Sequence, residues 1–365
     1  MKINSRHYLF ILLALIALSG TAQITPQSKA MAVHYIDVGQ ADASLLEFPC
    51  GAILIDAGVA NNERIEQLTT YLDAFFERRS DLNKTLDLVI VTHCHVDHNR
   101  ALQSIANRFT IKNYIDNGLK KGSGKKNQKW MQQEYQSIHS TYSFEAITAG
   151  GNASGLTNDS IDPINCNGID PKIRLLSGSF ENRPPGWSNT DFEKNGNNHS
   201  IVIKVEYGES SFLFTGDLDF EGIETMLKHY SAFDNPQPNN MVDIDVYQVG
   251  HHGAKNGTNE ELMNAMTPMH SVISVGQWTN TTSWTASQYG HPHENAINFL
   301  LNGTTETRAI SVKEWVGLKG ESRGSKNVPY DRFEERLIDK SIYATGWDGT
   351  IIITVDDHKN YAIDY

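Results

Sequence analysis

The chain has 365 residues, 20% of them charged, and a formal net charge of −12 at pH 7, a balance that excludes non-specific capture of polyanions by global positive charge. Three cysteines cannot build a disulfide framework, so the core must hold by packing.

Residues 1 to about 23 read as a secretory leader. Lys2 and Arg6 give a positive start, Tyr8 to Leu18 an apolar core, and Ser19-Gly20-Thr21-Ala22-Gln23 a small-residue exit. The apolar run is too short to span a bilayer comfortably and no second one follows, so a released protein is expected over an anchored one. No cysteine near the exit marks lipid attachment. The expectation is a soluble periplasmic or secreted protein, with a single domain over residues 31–365. Length alone would allow two domains, but ligand-type residues spread from His93 to His251 need one continuous scaffold to converge. Of Cys50, Cys94 and Cys166, only Cys50 and Cys166 are candidates to pair, and sequence does not decide whether they do.

Strand-like runs rich in Val, Ile and Phe fall at about 33 to 37, 44 to 48, 52 to 56, 86 to 91, 201 to 206, 211 to 215, 244 to 249, 271 to 275 and 350 to 355. Helix-like stretches fall near 62 to 79, 98 to 108, 128 to 139, 219 to 230, 258 to 266 and 293 to 301. In the first of these, Ile65, Leu68, Leu72, Phe75 and Phe76 follow the three-and-four spacing of a helix with one apolar stripe. Strands grouped early and late with helices between them fit two sheets packed face to face and covered outside by helices, an αββα sandwich of the α/β class. An irregular insertion is expected over about 120–197, where Gly150-Gly151, Pro163, Pro171 and Pro184-Pro185-Gly186-Trp187 interrupt every regular pattern. At its start, KKGSGKKNQKW (Lys120 to Trp130) carries five lysines, and reads either as a loop that contacts phosphates or as a solvated loop. Trp187 either lines a pocket or pins the loop.

The strand-like run Leu86 to Val91 leads into Thr92-His93-Cys94-His95-Val96-Asp97-His98, four potential metal ligands in six residues. If the extended backbone persists, its two-residue period puts His93 and His95 on one side and turns Cys94 away. Asp97 and His98 then lie in the turn beyond. Two imidazoles with a carboxylate and a third imidazole slightly displaced suit a pair of neighbouring cations better than one closed structural zinc.

HCHVDH resembles the HxHxDH signature of the metallo-β-lactamase superfamily. HYIDVGQADA at 34 to 43, LIDAG at 54 to 58, NNHSIVI at 197 to 203, LFTGD at 213 to 217, VYQVGHHG at 246 to 253, ISVG at 273 to 276, YGHP at 289 to 292 and ATGWDGTI at 344 to 351 follow the order found in the hydrolase domain of DNA-uptake competence proteins and their free-standing secreted relatives. The resemblance covers about 33 to 356 and implies the four-layer αββα sandwich, with the site at one edge where strand ends meet. Ala41 stands where that pattern usually has glycine.

The resemblance implies a metal ligand set of His93, His95, Asp97, His98, His199, Asp217 and His251. His199 would be the third imidazole beside His93 and His95, a histidine that many channel-linked relatives lack. Asp217 would bridge, and His251 would join Asp97 and His98. His252 is the competing choice, since a one-residue change of register exchanges the two. Histidine with carboxylate suits two divalent ions, Zn²⁺ best, with Mn²⁺ or Fe²⁺ allowed. Roughly 3.5 to 4 Å apart, such a pair lowers the pKa of a shared water from ~15.7 toward ~7. Asp37 and Asp56 are candidates to orient ligand imidazoles or simply to cap turns. Catalytic roles are implied for Asp97 and for His291, the latter as donor or general acid toward the leaving group.

Dinuclear sites of this kind serve several esters, so the ligands do not select the substrate. The resemblance points to phosphodiesters, because channel-linked domains are associated with DNA strand degradation and a free-standing relative with phosphorylcholine ester cleavage. The expected partner is a phosphate-bearing small molecule or nucleic acid as substrate, and nothing in the sequence singles out a protein partner. Other esters, lactones or β-lactams on the same site, or a non-catalytic module fastened by metal, are the alternatives.

Overall fold

Apolar runs such as GAILI and LVIV have no polar face to turn toward water, so they are stable only as strands covered on both sides. The computed structural model describes residues 24–149, 154–231, 240–278, 286–318 and 333–365, and the expected leader lies outside them. The described strands are β1 (Ala30–Tyr35), β2 (Ser44–Phe48), β3 (Gly51–Ile55), β4 (Thr85–Ile90), β5 (Thr110–Asp116), β6 (Ser143–Ala146), β7 (Lys172–Ser177), β8 (Val202–Tyr207), β9 (Ser210–Phe214), β10 (Val246–Gln248), β11 (His270–Ile273), β12 (Thr307–Gly317), β13 (Phe333–Lys340), β14 (Ile342–Ala344), β15 (Ile351–Asp356) and β16 (Tyr361–Asp364). One sheet runs β16-β15-β1-β2-β3-β4-β5-β6, the other β14-β11-β10-β9-β8-β7, and β12 with β13 forms a separate ribbon.

The two large sheets pack face to face. Val33, Leu46, Ile53, Leu88 and Ile115 from the first meet Ile203, Val205, Phe212, Phe214 and Val246 from the second in one buried layer. On the outer face of the first sheet, Leu68, Leu72, Phe75 and Phe76 of the helix Arg64–Arg78 pack with Leu102, Ile105 and strand residues such as Leu54 and Val89. Ile223, Met226, Leu262, Met266, Ile297 and Leu300 cover the second sheet in the same way. The result is the four-layer αββα sandwich. Among the described residues no helix is long and apolar enough to cross a membrane.

Parallel pairing decides where a site can form. β3, β4 and β5 run parallel, as do β9, β10 and β11. Their C-terminal ends therefore emerge together at one edge, where backbone leaving the sheets is free to turn and present side chains.

The stretch expected to be irregular is partly regular. It holds the helix Lys125–Trp130, continued by one π-turn and a short α-turn to Ile138, then β6 and β7 and the short helix Asn189–Glu193. Ser188 caps that last helix with a reciprocal Ser188–Asp191 box. Cys50, in the β2–β3 turn, is disulfide-bonded to Cys166, while Cys94 is free and buried.

Candidate metal centre

The HCHVDH run leaves the end of β4 and bends into a short helical turn, Val96–Asn99. His93 and His95 do lie together, with His93 Nε2 2.9 Å from His95 Nδ1. His98 is fully buried and held by Asp56, whose carboxylate lies 2.7 Å from its Nδ1 and accepts from the Thr92 N–H and hydroxyl, both at 2.8 Å. Asp56 is thus the orienting carboxylate behind an imidazole. Asp37 caps its own turn through the Gly39 N–H and pairs with Arg64, so its role is structural.

Asp217 follows β9 through Gly216, whose left-handed φ of +52° and packing on the Thr92 side chain leave no room for a Cβ. Each oxygen of Asp217 faces two imidazoles. Oδ1 lies 3.1 Å from His98 Nε2 and 3.6 Å from His252 Nε2; Oδ2 lies 3.6 Å from both His93 Nε2 and His251 Nε2. His251 and His252 come from the turn after β10, and both have left-handed backbone, φ 52° and 54°. Ligand atoms of Asp97, His98, Asp217 and His252 lie within 4.8 Å of one another, as do those of His93, His95 and Asp217.

Two expectations change. It is His252, not His251, that gathers with Asp97 and His98, because the left-handed turn sends the second histidine toward Asp97, 3.7 Å from its Nε2. His199 does not join His93 and His95. Its Nε2 donates to the Phe192 carbonyl at 2.8 Å and its Nδ1 accepts from the Phe180 N–H at 3.2 Å, so both ring nitrogens are spent on backbone. Burial also pushes its pKa down, in keeping with a neutral ring. Phe180, Trp187 and Phe192 enclose that ring, and Trp187 donates to Thr225 Oγ1 at 3.0 Å, pinning the loop.

His98 Nε2 and His252 Nε2 are buried without a hydrogen-bond partner, although both approach Asp217 Oδ1. Orphaned imidazole nitrogens converging on carboxylates are what a cation would satisfy. The donor set of imidazole and carboxylate fits divalent ions of the zinc, manganese and iron kind. The charges are arranged for it. Burial opposes ionisation of Asp97, but His252 and His98 hold its carboxyl well below the usual range. Burial likewise opposes charge on His252, yet Asp217 and Asp97 push it up to about 9.

Several participants were not singled out by sequence reading. Asp42, the last acid of DVGQAD, is buried with Asp56 and His98. Burial and the neighbouring Asp56 push its pKa up to about 6, against His98, His252 and Gln248. Gln248 Nε2 donates to both of its oxygens, at 2.6 and 2.8 Å. Asp219 lies 3.0 Å from His251 Nδ1 and accepts from Asn195 and Asn256, both at 2.7 Å. Its position two residues after Asp217 was the available signal.

His291 is buried, its ring centroid 5.9 Å from that of His251 and 6.5 Å from that of His252. The bond to Pro292 is cis. Gln40 fixes its tautomer. Gln40 Oε1 accepts from the Gly276 N–H, which leaves Gln40 Nε2 to donate to His291 Nδ1 at 3.2 Å. Burial, with His251 and His252 nearby, drives the His291 pKa well down, so the neutral ring carries its proton on Nε2.

The lysine-rich segment clasps the ligand loop. Gly124 N–H donates to Cys94 O at 3.0 Å, Ser123 Oγ accepts from the Val96 N–H at 3.1 Å, and a Cβ on Gly122 would lie 2.0 Å from Cys94 O. The lysines of Lys120 to Trp130 are exposed, and Lys121 donates to the Glu193 carbonyl.

Known proteins resemble the chain over part of its length. The chain is 35% identical over 104 residues to ComE operon protein 3 of Bacillus subtilis and 37% over 117 residues to Recombination protein 2 of Haemophilus influenzae, matches that take in 28% and 32% of this chain. It spans only 11% and 12% of the length of those relatives. Competence protein ComA of Neisseria gonorrhoeae is 31% identical over 121 residues, 31% of this chain and 15% of that protein. Among solved structures, the metallo-beta-lactamase fold protein YhfI from Bacillus subtilis aligns over 76% of this chain and 94% of its own at 12% identity, with a TM-score of 0.41. Residues 36–277, which carry the whole His and Asp cluster around Asp217, match the family profile of the Metallo-beta-lactamase superfamily, and the chain belongs to that superfamily.

Proposed function

We propose that the protein is a periplasmic or secreted hydrolase that uses two divalent cations, zinc foremost, to cleave phosphodiester bonds in nucleic acid or in phosphorylcholine-type esters. The observation that carries the dinuclear reading is Asp217, each of whose oxygens faces two imidazoles. His93 and His95 would hold one ion, Asp97, His98 and His252 the other. Bound there, the cations supply Lewis acidity toward a phosphoryl oxygen and a nucleophilic water at neutral pH. The protein supplies the rest. Asp56 fixes the ring of His98 and Asp219 that of His251, and the Nε2 proton of His291 is available to a phosphate or departing oxygen. Similarity to competence proteins supports the phosphodiester, and the Cys50–Cys166 disulfide supports an oxidising compartment.

The test is turnover by the purified protein on bis-p-nitrophenyl phosphate, single-stranded DNA, p-nitrophenyl phosphorylcholine, a chromogenic β-lactam and a thioester. The expected result is phosphodiester cleavage that a chelator abolishes and added Zn²⁺ or Mn²⁺ restores. His291→Ala should keep its metals and lose about 10²- to 10⁴-fold in kcat. Faster turnover of the lactam or thioester, or cleavage that survives chelation, would refute the reading.

A further inference from the structure

We infer that the tandem histidines serve both centres, with His251 supplying to the ion at His93 and His95 the third imidazole that His199 does not provide. The assignment rests on the dinuclear reading above and names a ligand within it.

Four observations converge on His251. Asp217 sorts the imidazoles by oxygen: His98 and His252 face Oδ1, while His93 and His251 face Oδ2, each of these last two at 3.6 Å. A carboxylate that held two ions through its two oxygens would give one to each, so the imidazoles that share an oxygen would share an ion. Next, His251 has the support of a ligand ring. Asp219 takes its Nδ1 proton at 3.0 Å and is itself held by Asn195 and Asn256, leaving the Nε2 lone pair directed at the site. Asp56 supports His98 in the same manner.

The backbone supplies the third. Two successive non-glycine residues in the left-handed region are uncommon, and here they splay adjacent rings 6.4 Å apart at 62°. An extended pair would also point its rings apart, but to opposite faces of the strand. The left-handed pair instead delivers both to opposite sides of one carboxylate. Finally, the alternative ring is committed elsewhere, since both nitrogens of His199 bond backbone groups. The nearest other polar group is Asn197, whose Nδ2 lies 3.4 Å from His251 Nε2. That amide N–H points at the Nε2 lone pair, so a cation would replace this long side-chain contact, whereas at His199 it would have to displace backbone partners on both nitrogens.

Equilibrium dialysis of the whole protein against Zn²⁺ alone, with metal counted by mass spectrometry and affinities from a competing chromophoric chelator, tests the assignment without reference to turnover. Asparagine tolerates the left-handed backbone, so His251→Asn is the informative change. Wild type should take up two equivalents. His251→Asn should keep one at unchanged affinity and hold the other at least ~100-fold more weakly, and Asp219→Asn, which removes no ligand, should weaken that same ion by ~10- to 100-fold. His199→Gln should keep both. Adding His93→Asn to His251→Asn should cost no second ion, whereas adding His252→Asn should cost both. If wild type holds two ions and His251→Asn holds both as tightly, or the pair with His93→Asn loses both, the assignment is wrong and the dinuclear reading stands. Fewer than two equivalents in wild type would overturn the dinuclear reading itself.

Discussion

A neutral imidazole has one lone pair and one proton, and the group facing the proton decides which nitrogen is left for other work. Asp56 does this for His98, the Ser274 carbonyl for His252, at 2.8 Å from its Nδ1, and Gln40, from the acceptor side, for His291. Asp56→Asn keeps the shape and removes the charge. It should weaken zinc binding by ~10- to 100-fold, read by chelator competition, while apo-protein melting shows whether the fold persists; unchanged affinity would mean that Asp56 only braces Thr92. The ligand types were legible in HCHVDH and TGD because close spacing after a strand confines side chains to one end of it. His199 and His252 were not. Whether a ring nitrogen is free depends on backbone groups brought from elsewhere, here Phe180 and Phe192, and the choice between adjacent histidines depends on φ rather than on composition.

Elements with an apolar signal were readable from the sequence, and elements stabilised by their neighbours were not. β3 is a continuous apolar run and β2 a mostly apolar one, both buried throughout and at their expected positions. β5, TIKNYID, and β7, KIRLLS, mix charge into a strand, and tertiary partners make them regular: Lys112 pairs with Asp87 at 2.7 Å, and Arg174 with Glu206 across the β7–β8 pair. The segment of Gly122, Ser123 and Gly124 shows the same dependence. Glycine-rich and lysine-rich in sequence, it reads as loose, yet it is the clasp on the ligand loop. A methyl group on Gly122, at φ +133°, would meet Cys94 O at 2.0 Å and His95 Cδ2 at 2.9 Å. Gly122→Ala should therefore cost about 1–3 kcal/mol in backbone strain and lower metal content by displacing His95, measured by thermal unfolding and metal counting on the same sample. Lys125→Ala, on the exposed side of the same segment, should alter neither; equal loss from both changes would show that the lysine, and not the close backbone contact, holds the loop.

At the scale of the molecule, chemistry and covalent fastening occupy opposite edges of the sandwich. β3 ends at Asp56 on the site edge and begins beside the β2–β3 turn that carries Cys50. A five-residue strand of roughly 3.3 Å per residue separates them. The bond to Cys166 joins that turn to the stretch just before β7, at the edge of the second sheet, across 116 residues of chain. A crosslink closing so long a loop restricts the unfolded chain strongly, by about 2–5 kcal/mol in measured cases. Reduction, or the double change Cys50→Ser with Cys166→Ser, should lower the melting temperature by roughly 3 to 7 °C for a chain of this size. Zinc affinity should stay within about twofold, because the parallel strands that deliver His93, Asp217 and His252 to the site edge do not depend on the crosslink for their register. Calorimetry on oxidised and reduced protein, each with and without zinc, separates the two effects. If the reduced protein melts lower only when zinc is present, the crosslink acts through the metal centre, and the division between the two edges is wrong.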